Sequence, residues 1–353
     1  MYLYVGAYTE PPAGTAEGIS VYRFDQASGE LELVHTVRNV ANPSFLAISA
    51  DRRSLFAVNE LDRGGVSAFA RDPASGELTA LNWQSSHGDS PCHISLSADG
   101  GHALVANYGS GTIAALPVGE DGRLDAASSV VQHEGSGADP KRQDGPHAHM
   151  IAPTPEGRFV LASDLGTDSV MICRLEDGRL VPNADGPASV AAEPGAGPRH
   201  FAFAPDGKTA YVINELNSTL TVYSWDGTRG ELIPRQTVSS LPDGFDGRNT
   251  CAQVVVSPDG RIVYGSNRGH DSIAIWAVDN ASGALTAIGH EPTRGKDPRN
   301  FAIDPSGHWL LAANQRSDTV VTFRRNPKTG LLTPIGQVAQ TPAPVCIVFG
   351  EDT

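Results

Sequence analysis

Two histidines stand two residues apart in Pro-His-Ala-His (146–149), an arginine and a histidine follow proline in Pro-Arg-His (198–200), and Asn-Glu (214–215) and Asn-Arg (267–268) come farther along. Imidazole is the side chain whose ordinary pKa brings proton transfer into the neutral range. Guanidinium forks hold carboxylates and phosphates, and a positioned carboxylate orients or receives a proton. Together these types suit proton-transfer chemistry on an anionic substrate. Regular strand alternation would send His147 and His149 to the same side, where a histidine pair could also chelate zinc. No third ligand has suitable spacing, so no metal or other cofactor is expected. The chain has no G-x-S-x-G elbow, which argues against a nucleophilic serine.

The elements that must position these residues repeat along the chain. The segment PSFLAISADRRSLFAVNE (43–60) recurs as PCHISLSADGGHALVANYGSG (91–111), PHAHMIAPTPEGRFVLASDLGTD (146–168) and PRHFAFAPDGKTAYVINELNS (198–218). NTCAQVVVSPDGRIVYGSNRGHD (249–271) and PRNFAIDPSGHWLLAANQRSD (298–318) are two more copies. Each reads as an apolar strand, a tight turn often built on Asp-Gly, a second apolar strand, and an Asn or Asp at the exit. The exits fall at 59, 107, 164, 214, 267 and 314, at intervals of 47 to 57 residues. A third strand such as GVSAFARD (65–72) follows, then a short turn such as SGEL (75–78) and a fourth strand. Four strands per repeat of roughly 50 residues is the pattern of a propeller blade.

The two ends supply a seventh unit. PAPVCIVFG (342–350) carries the first half of the motif and MYLYVGAYT (1–9) the second. Joined, they close the ring and remove its exposed edge. The chain is therefore expected to be all-β, a single seven-bladed β-propeller of four-stranded blades spanning 1–353. If the first strand of each blade runs along the channel, the start of that strand and the exit of the second share one face. Polar residues then gather at one mouth of the channel, a concave site for a ligand. They are Asn59 and Glu60; His93 and Asn107; His147, His149 and Asp164; Arg199, His200, Asn214 and Glu215; Asn249, Gln253, Asn267 and Arg268; and Arg299, Asn300, Asn314 and Gln315. A recurring Asn or Asp after a strand commonly caps a turn, which is the reading for Asn107, Asp164, Asn267 and Asn314.

Composition narrows the partners. Gly (38) and Pro (25) are spread through all 353 residues, as many hairpin turns require, and not gathered in a linker. With 26 Lys+Arg against 40 Asp+Glu the net charge is −14, and no basic stripe runs along the chain, so nucleic acid is not an expected partner. No apolar run reaches the roughly 18 residues of a membrane helix. The start shows no basic stretch followed by an apolar core, and Cys92, Cys173, Cys251 and Cys346 lie far apart; a cytoplasmic protein with buried free thiols is expected. A closed ring needs no partner to cover its edges, so a monomer or small homo-oligomer is expected.

The motifs GSGADPKRQDGPHAHM (135–150), DLGTDSV (164–170), GAGPRHFAF (195–203), YVINELNST (211–219), YGSNRGHDSIA (264–274) and AANQRSDTVV (312–321) resemble those of the seven-bladed propeller lactonases, the group of the propeller-type 6-phosphogluconolactonases. The resemblance covers nearly the whole chain and implies ring-opening hydrolysis of a sugar lactone, most simply an anionic aldono-1,5-lactone. A related branch, the carboxymuconate-lactonizing enzymes, uses a histidine, a glutamate and two arginines. These match His147, Glu215, Arg199 and Arg268, which the resemblance makes the catalytic set. His149, His200, Asn249, Gln253, Arg299, Asn300, Gln315 and Arg142 are the expected substrate-binding residues, with Arg142, Arg299 and Arg316 candidates for a substrate phosphate. Gln253 departs from the family, many members of which carry an acidic residue there; Ala204-Pro205-Asp206 replaces a common His-Pro-Asp turn on the other face. A lactonizing or isomerising reaction on the same rim, or a non-catalytic binding scaffold, are the alternative readings.

Overall fold

A computed structural model describes residues 1–350. Seven antiparallel sheets surround a central channel, each with a strand order that runs outward. Blade 1 consists of Pro344–Gly350, Tyr2–Ala7, Gly18–Phe24 and Leu31–Arg38, so both ends of the chain build it. Tyr2 pairs with Gly350 and Val5 with Ile347, which closes the ring as the split repeat requires. The six copies become blades 2 to 7, whose innermost strands begin at Leu46, Pro91, Ala148, Pro198, Thr250 and Pro298. In blade 4 the outer strand is divided: Arg179–Pro182 and Ser189–Ala191 pair with successive parts of Ser169–Glu176.

The burial pattern explains why the second strand of each repeat reads as a continuous apolar run. Ser54–Asn59 and Trp309–Asn314 are buried at every position, because each blade is covered by a neighbour on both faces. The outermost strands, such as Leu332–Gln340, are largely exposed and mix polar with apolar residues. Seven clusters of buried side chains fill the seven seams between blades. Between blades 5 and 6, for example, Tyr211, Ile213 and Val263 pack on the fully buried Trp276. Turns between first and second strands need a left-handed residue, and glycine supplies it at Gly207 (φ +68°) and Gly260 (φ +71°).

One local irregularity recurs and decides where site residues point. Near the start of the inner strand the register slips by one residue in blades 3, 4, 5 and 7. The residues left over are Cys92, His149, Arg199 and Arg299. Val345 takes the same place in blade 1, and Ala252 with Gln253 faces Ser266 in blade 6. A bulge turns its extra residue away from the regular alternation. Here it feeds a ring of side chains toward the mouth of the channel.

Candidate active site

The mouth is built from two registers. One is the bulge just described. The other is the residue that follows each exit position: Tyr8, Glu60, Tyr108, Leu165, Glu215, Arg268 and Gln315. The exits pair with the strand starts, Asn107 with Pro91, Asp164 with Ala148 and Asn214 with Pro198, so both registers lie at the same end of the channel.

Glu215 is buried and is the centre of an ion cluster. Arg142 donates to its Oε1 at 2.6 Å, while Arg199 and Arg268 donate to its Oε2 at 2.9 and 2.6 Å. Burial alone would raise the carboxyl pKa, but Arg268, Arg199 and Arg142 outweigh it and hold the group far below the usual carboxylate range. Arg199 also donates to the Ala252 carbonyl at 2.7 Å. Burial, together with Arg268 and Arg299, pushes its guanidinium down to about 9, which leaves it charged at neutral pH. Arg268 is tied a second time, to the Cys251 carbonyl at 2.9 Å.

His147 sits at the edge of this cluster. Its Nδ1 donates to the Tyr108 carbonyl at 2.9 Å, and its ring lies stacked on Tyr108 with centroids 4.5 Å apart. That hydrogen bond fixes the tautomer and leaves Nε2 with a lone pair, with Asp144 Oδ1 3.6 Å away. The backbone N–H of His147 is held by Asp164 Oδ1 at 2.9 Å, and Asp164 Oδ2 accepts from the buried His133 at 2.7 Å. Tyr108 links the histidine to the ion cluster, since Arg142 donates to its hydroxyl at 3.3 Å.

Along the channel, His200 meets His93 and His149 edge to face, with centroids 5.5 and 5.2 Å apart, and Phe45 packs on His93. Burial and the Arg199 charge lower all three pKa values, to about 3 for His93 and well below the ordinary value for the other two. They are neutral at pH 7. Arg199 donates to His200 Nε2 at 3.3 Å, and the opposite nitrogen of His200 donates to Gln253 Oε1. Facing Glu215 across the mouth, Tyr8 donates to Glu60, and the Arg299 guanidinium lies 5.7 Å from the Tyr8 ring centroid. An open cleft of about 760 Å³ extends the mouth over blades 4 to 7, lined by Lys141, Arg142, Arg248, Arg268, Lys296 and Arg316 among others.

The family model described as "Lactonase, 7-bladed beta-propeller" matches residues 2–349. The chain belongs to the seven-bladed β-propeller lactonase family. A 6-phosphogluconolactonase of Bacillus subtilis is 40% identical over 98% of this chain and 97% of its own length. One from Formosa agariphila is 36% identical over 95% of both. Among solved structures, the periplasmic gluconolactonase of Pseudomonas aeruginosa superposes with a TM-score of 0.93 at 36% identity, covering 100% of this chain and 99% of that one.

Within this propeller lactonase, Arg142, Arg199, Glu215 and Arg268 form one contiguous group, which Tyr108 joins to His147. His149, His200, Gln253, Arg299 and Asn300 line the channel beside it. Asn249 borders the cleft, but its amide is engaged with Ser218, Asn267 and His270. Gln315 stands apart, on a 3-10 turn where it reaches the Ala13 carbonyl. His147 and His149 do not act as an alternating pair. His147 precedes the strand, His149 occupies the bulge, and Tyr108 packs against both rings. Among the described residues no group of three or more His, Cys, Asp and Glu side chains is arranged to hold a metal ion. The sequence places Glu60 at the mouth without giving it a role, and does not mark Tyr8 or Tyr108 for the site; all three occupy the register that follows the exit residue, the register of Glu215 and Arg268.

Proposed function

We propose that this chain hydrolyses a sugar 1,5-lactone, with a phosphorylated aldonolactone as the substrate and with His147, Arg199, Glu215 and Arg268 carrying the reaction. The observation behind this reading is a histidine with one nitrogen tied to a backbone carbonyl and the other without a hydrogen bond, 3.6 Å from the Asp144 carboxylate, beside arginines that a buried carboxylate holds in place. Lactone opening needs an activated water, stabilisation of the carbonyl oxygen and a proton for the departing alkoxide. His147 Nε2 takes a proton from water as the oxygen adds to the carbonyl carbon. Arg199 and Arg268 donate to the oxyanion that forms. The ring C–O bond then breaks, and the His147 imidazolium returns the proton to the ring oxygen.

Glu215 does not act as the base in this scheme. A carboxylate with three guanidinium donors has little basicity left, so it holds Arg199 and Arg268 at the required angle. The excess of cations in the cleft supports a phosphorylated substrate: Lys141, Arg142, Arg248, Arg268, Lys296 and Arg316 line it against Asp139, Asp271 and Asp297, with Arg316 paired to Asp297. That charge belongs to a chain of net −14, so its concentration at one mouth favours an anion there. A cytoplasmic location is part of the proposal, supported by four buried, unpaired cysteines.

The test is a hydrolysis panel of glucono-1,5-lactone, its 6-phosphate and a carboxymuconolactone, scored above spontaneous opening, for wild type and the Arg248→Glu, Lys296→Glu double variant. The phosphorylated lactone is expected to lead in kcat/KM, and the double variant to lose about tenfold or more on it while keeping the plain lactone. A wild type that prefers the plain lactone and ignores the charge reversal refutes the phosphate assignment. Turnover confined to the muconolactone refutes the hydrolase reading.

A further inference from the structure

Two carboxylates at the mouth, Glu215 and Glu60, stand in opposite conditions. Glu215 is saturated by three arginines. Glu60, in the equivalent register of blade 2, accepts among the described residues from a single side-chain donor, the Tyr8 hydroxyl, which lies 2.9 Å from both of its oxygens. A carboxylate offers about four acceptor positions, so most of Glu60's capacity is open. Burial raises the Tyr8 pKa, which keeps the phenol protonated and in the donor role.

Arg299 presents the complementary case. It lines the same small chamber as Glu60, Arg199 and His200, yet among the described residues it forms no ion pair with a carboxylate, whereas Arg199 and Arg268 hold Glu215 at 2.9 and 2.6 Å. Its contact is with the face of Tyr8. Tyr8 thus separates an anion from a cation, its hydroxyl on Glu60 and its ring beside Arg299. Two opposite charges in one chamber, kept from pairing, leave acceptors and donors facing the same space. A hydroxyl group suits that arrangement, because it donates to the carboxylate and accepts from the guanidinium at once. An anion alone would be repelled by Glu60, and a cation alone by Arg299.

We infer that Glu60, Tyr8 and Arg299 form a polyol-recognition station that binds one ring hydroxyl of the lactone, the size the chamber accepts, and sets specificity for hydroxylated over plain rings. This rests on the lactone reading and adds orientation to it. A hydroxyl held on the blade 1, 2 and 7 side turns the carbonyl toward Arg199, Arg268 and His147. Glu60 and Arg299 are specificity-determining residues in this scheme, and Tyr8 is the positioning residue.

The test is calorimetric binding of two non-hydrolysable lactams, glucono-δ-lactam and the unsubstituted δ-valerolactam, to the full chain and to Glu60→Gln, Arg299→Met and Tyr8→Phe. Each variant is first checked for a wild-type thermal transition. The wild type is expected to favour the hydroxylated lactam. Glu60→Gln and Arg299→Met are each expected to weaken it about tenfold or more, with δ-valerolactam binding changed less than about twofold. Tyr8→Phe, which keeps the ring beside Arg299 and removes the phenol donor, is expected to show a smaller loss in the same direction. If Glu60→Gln does not fold, the other two variants carry the test. Equal weakening of both lactams, unchanged binding, or a wild type without preference overturns the inference. Lactone hydrolysis by the wild type is measured alongside. No turnover with the lactam preference intact refutes the hydrolase and leaves the polyol station standing.

Discussion

Glu215→Gln removes one negative charge and keeps the side-chain shape, so it isolates what the carboxylate does for the arginines around it. Arg142 is 38% exposed, and its share is discounted for solvent screening. Arg199 and Arg268 are 3% and 12% exposed, and both depend on Glu215 Oε2. Breaking a buried pair by removing one partner costs about 3–5 kcal/mol, because the remaining charge stays uncompensated. Here that charge also lies near Arg299, which adds to the repulsion at Arg199. Unfolding entropy of about 2.1 cal/mol/K per residue then gives a fall in Tm of roughly 4–7 °C for a chain of 353 residues. The pH dependence has a definite sign. The folded pKa of Glu215 is depressed, so its contribution is complete above the unfolded value of about 4.3 and is lost as pH falls below it. Scanning calorimetry of wild type and variant from pH 8 to pH 3 should show a constant gap down to about pH 5 that narrows below it. A variant that melts with the wild type at pH 7, or a gap that stays constant to pH 3, refutes the assignment of Glu215 as the charge that holds the arginines.

Two further outcomes are expected. His147→Gln should lower kcat by about 10²–10⁴ with an unchanged Tm, since it removes the proton acceptor from a half-buried position; single-turnover hydrolysis at wild-type rate would remove His147 from the reaction. The buried histidines should make the protein acid-labile. Their folded pKa values are depressed, so the stability they contribute is complete above about pH 6.5 and falls as pH drops toward the folded values. For His93, with a folded value of about 3, the loss at pH 5 is on the order of 2 kcal/mol. His149 and His200 act in the same direction. A Tm that stays level from pH 7.5 to pH 5 contradicts this.

The periodic part of the molecule was readable from the amino acids. Asp-Gly turns, apolar strand pairs and exit residues recur at nearly constant spacing, and the half-motifs at the two ends pair as Tyr2 with Gly350. The exit asparagines do hold turns: Asn107, Asn267 and Asn314 each donate to a backbone carbonyl of the preceding connection, at Ser86, Ser240 and Thr293. What escaped was the departure from periodicity. Strand alternation is a rule for regular ladders, and the bulges at His149, Arg199 and Arg299 break it where the site is made. Asp164 reads as a turn cap and is one, through Gly166 and Thr167, but its Oδ1 also accepts directly from the His147 backbone N–H, while its Oδ2 accepts from a histidine thirty-one residues away, His133. Tyr8 lies in the half-repeat at the start of the chain, where few neighbours reveal its register.

The closure of blade 1 has a consequence for how the molecule forms. The residues of the ion cluster, Arg142 to Arg268, come from the middle of the chain and from neighbouring blades, so they can be assembled while the C-terminal strand is still being made. Glu60, Tyr8 and Arg299 belong to blades that flank the seam, and their chamber takes shape only when Pro344–Gly350 docks beside Tyr2–Ala7. That pairing joins residues nearly the whole chain apart, a non-local contact that must carry its loop-closure entropy and is slow for that reason. In refolding, the charged half of the mouth should form before the half at the seam. Until the last strand docks, the nascent protein would have its arginine cluster without a finished chamber opposite it.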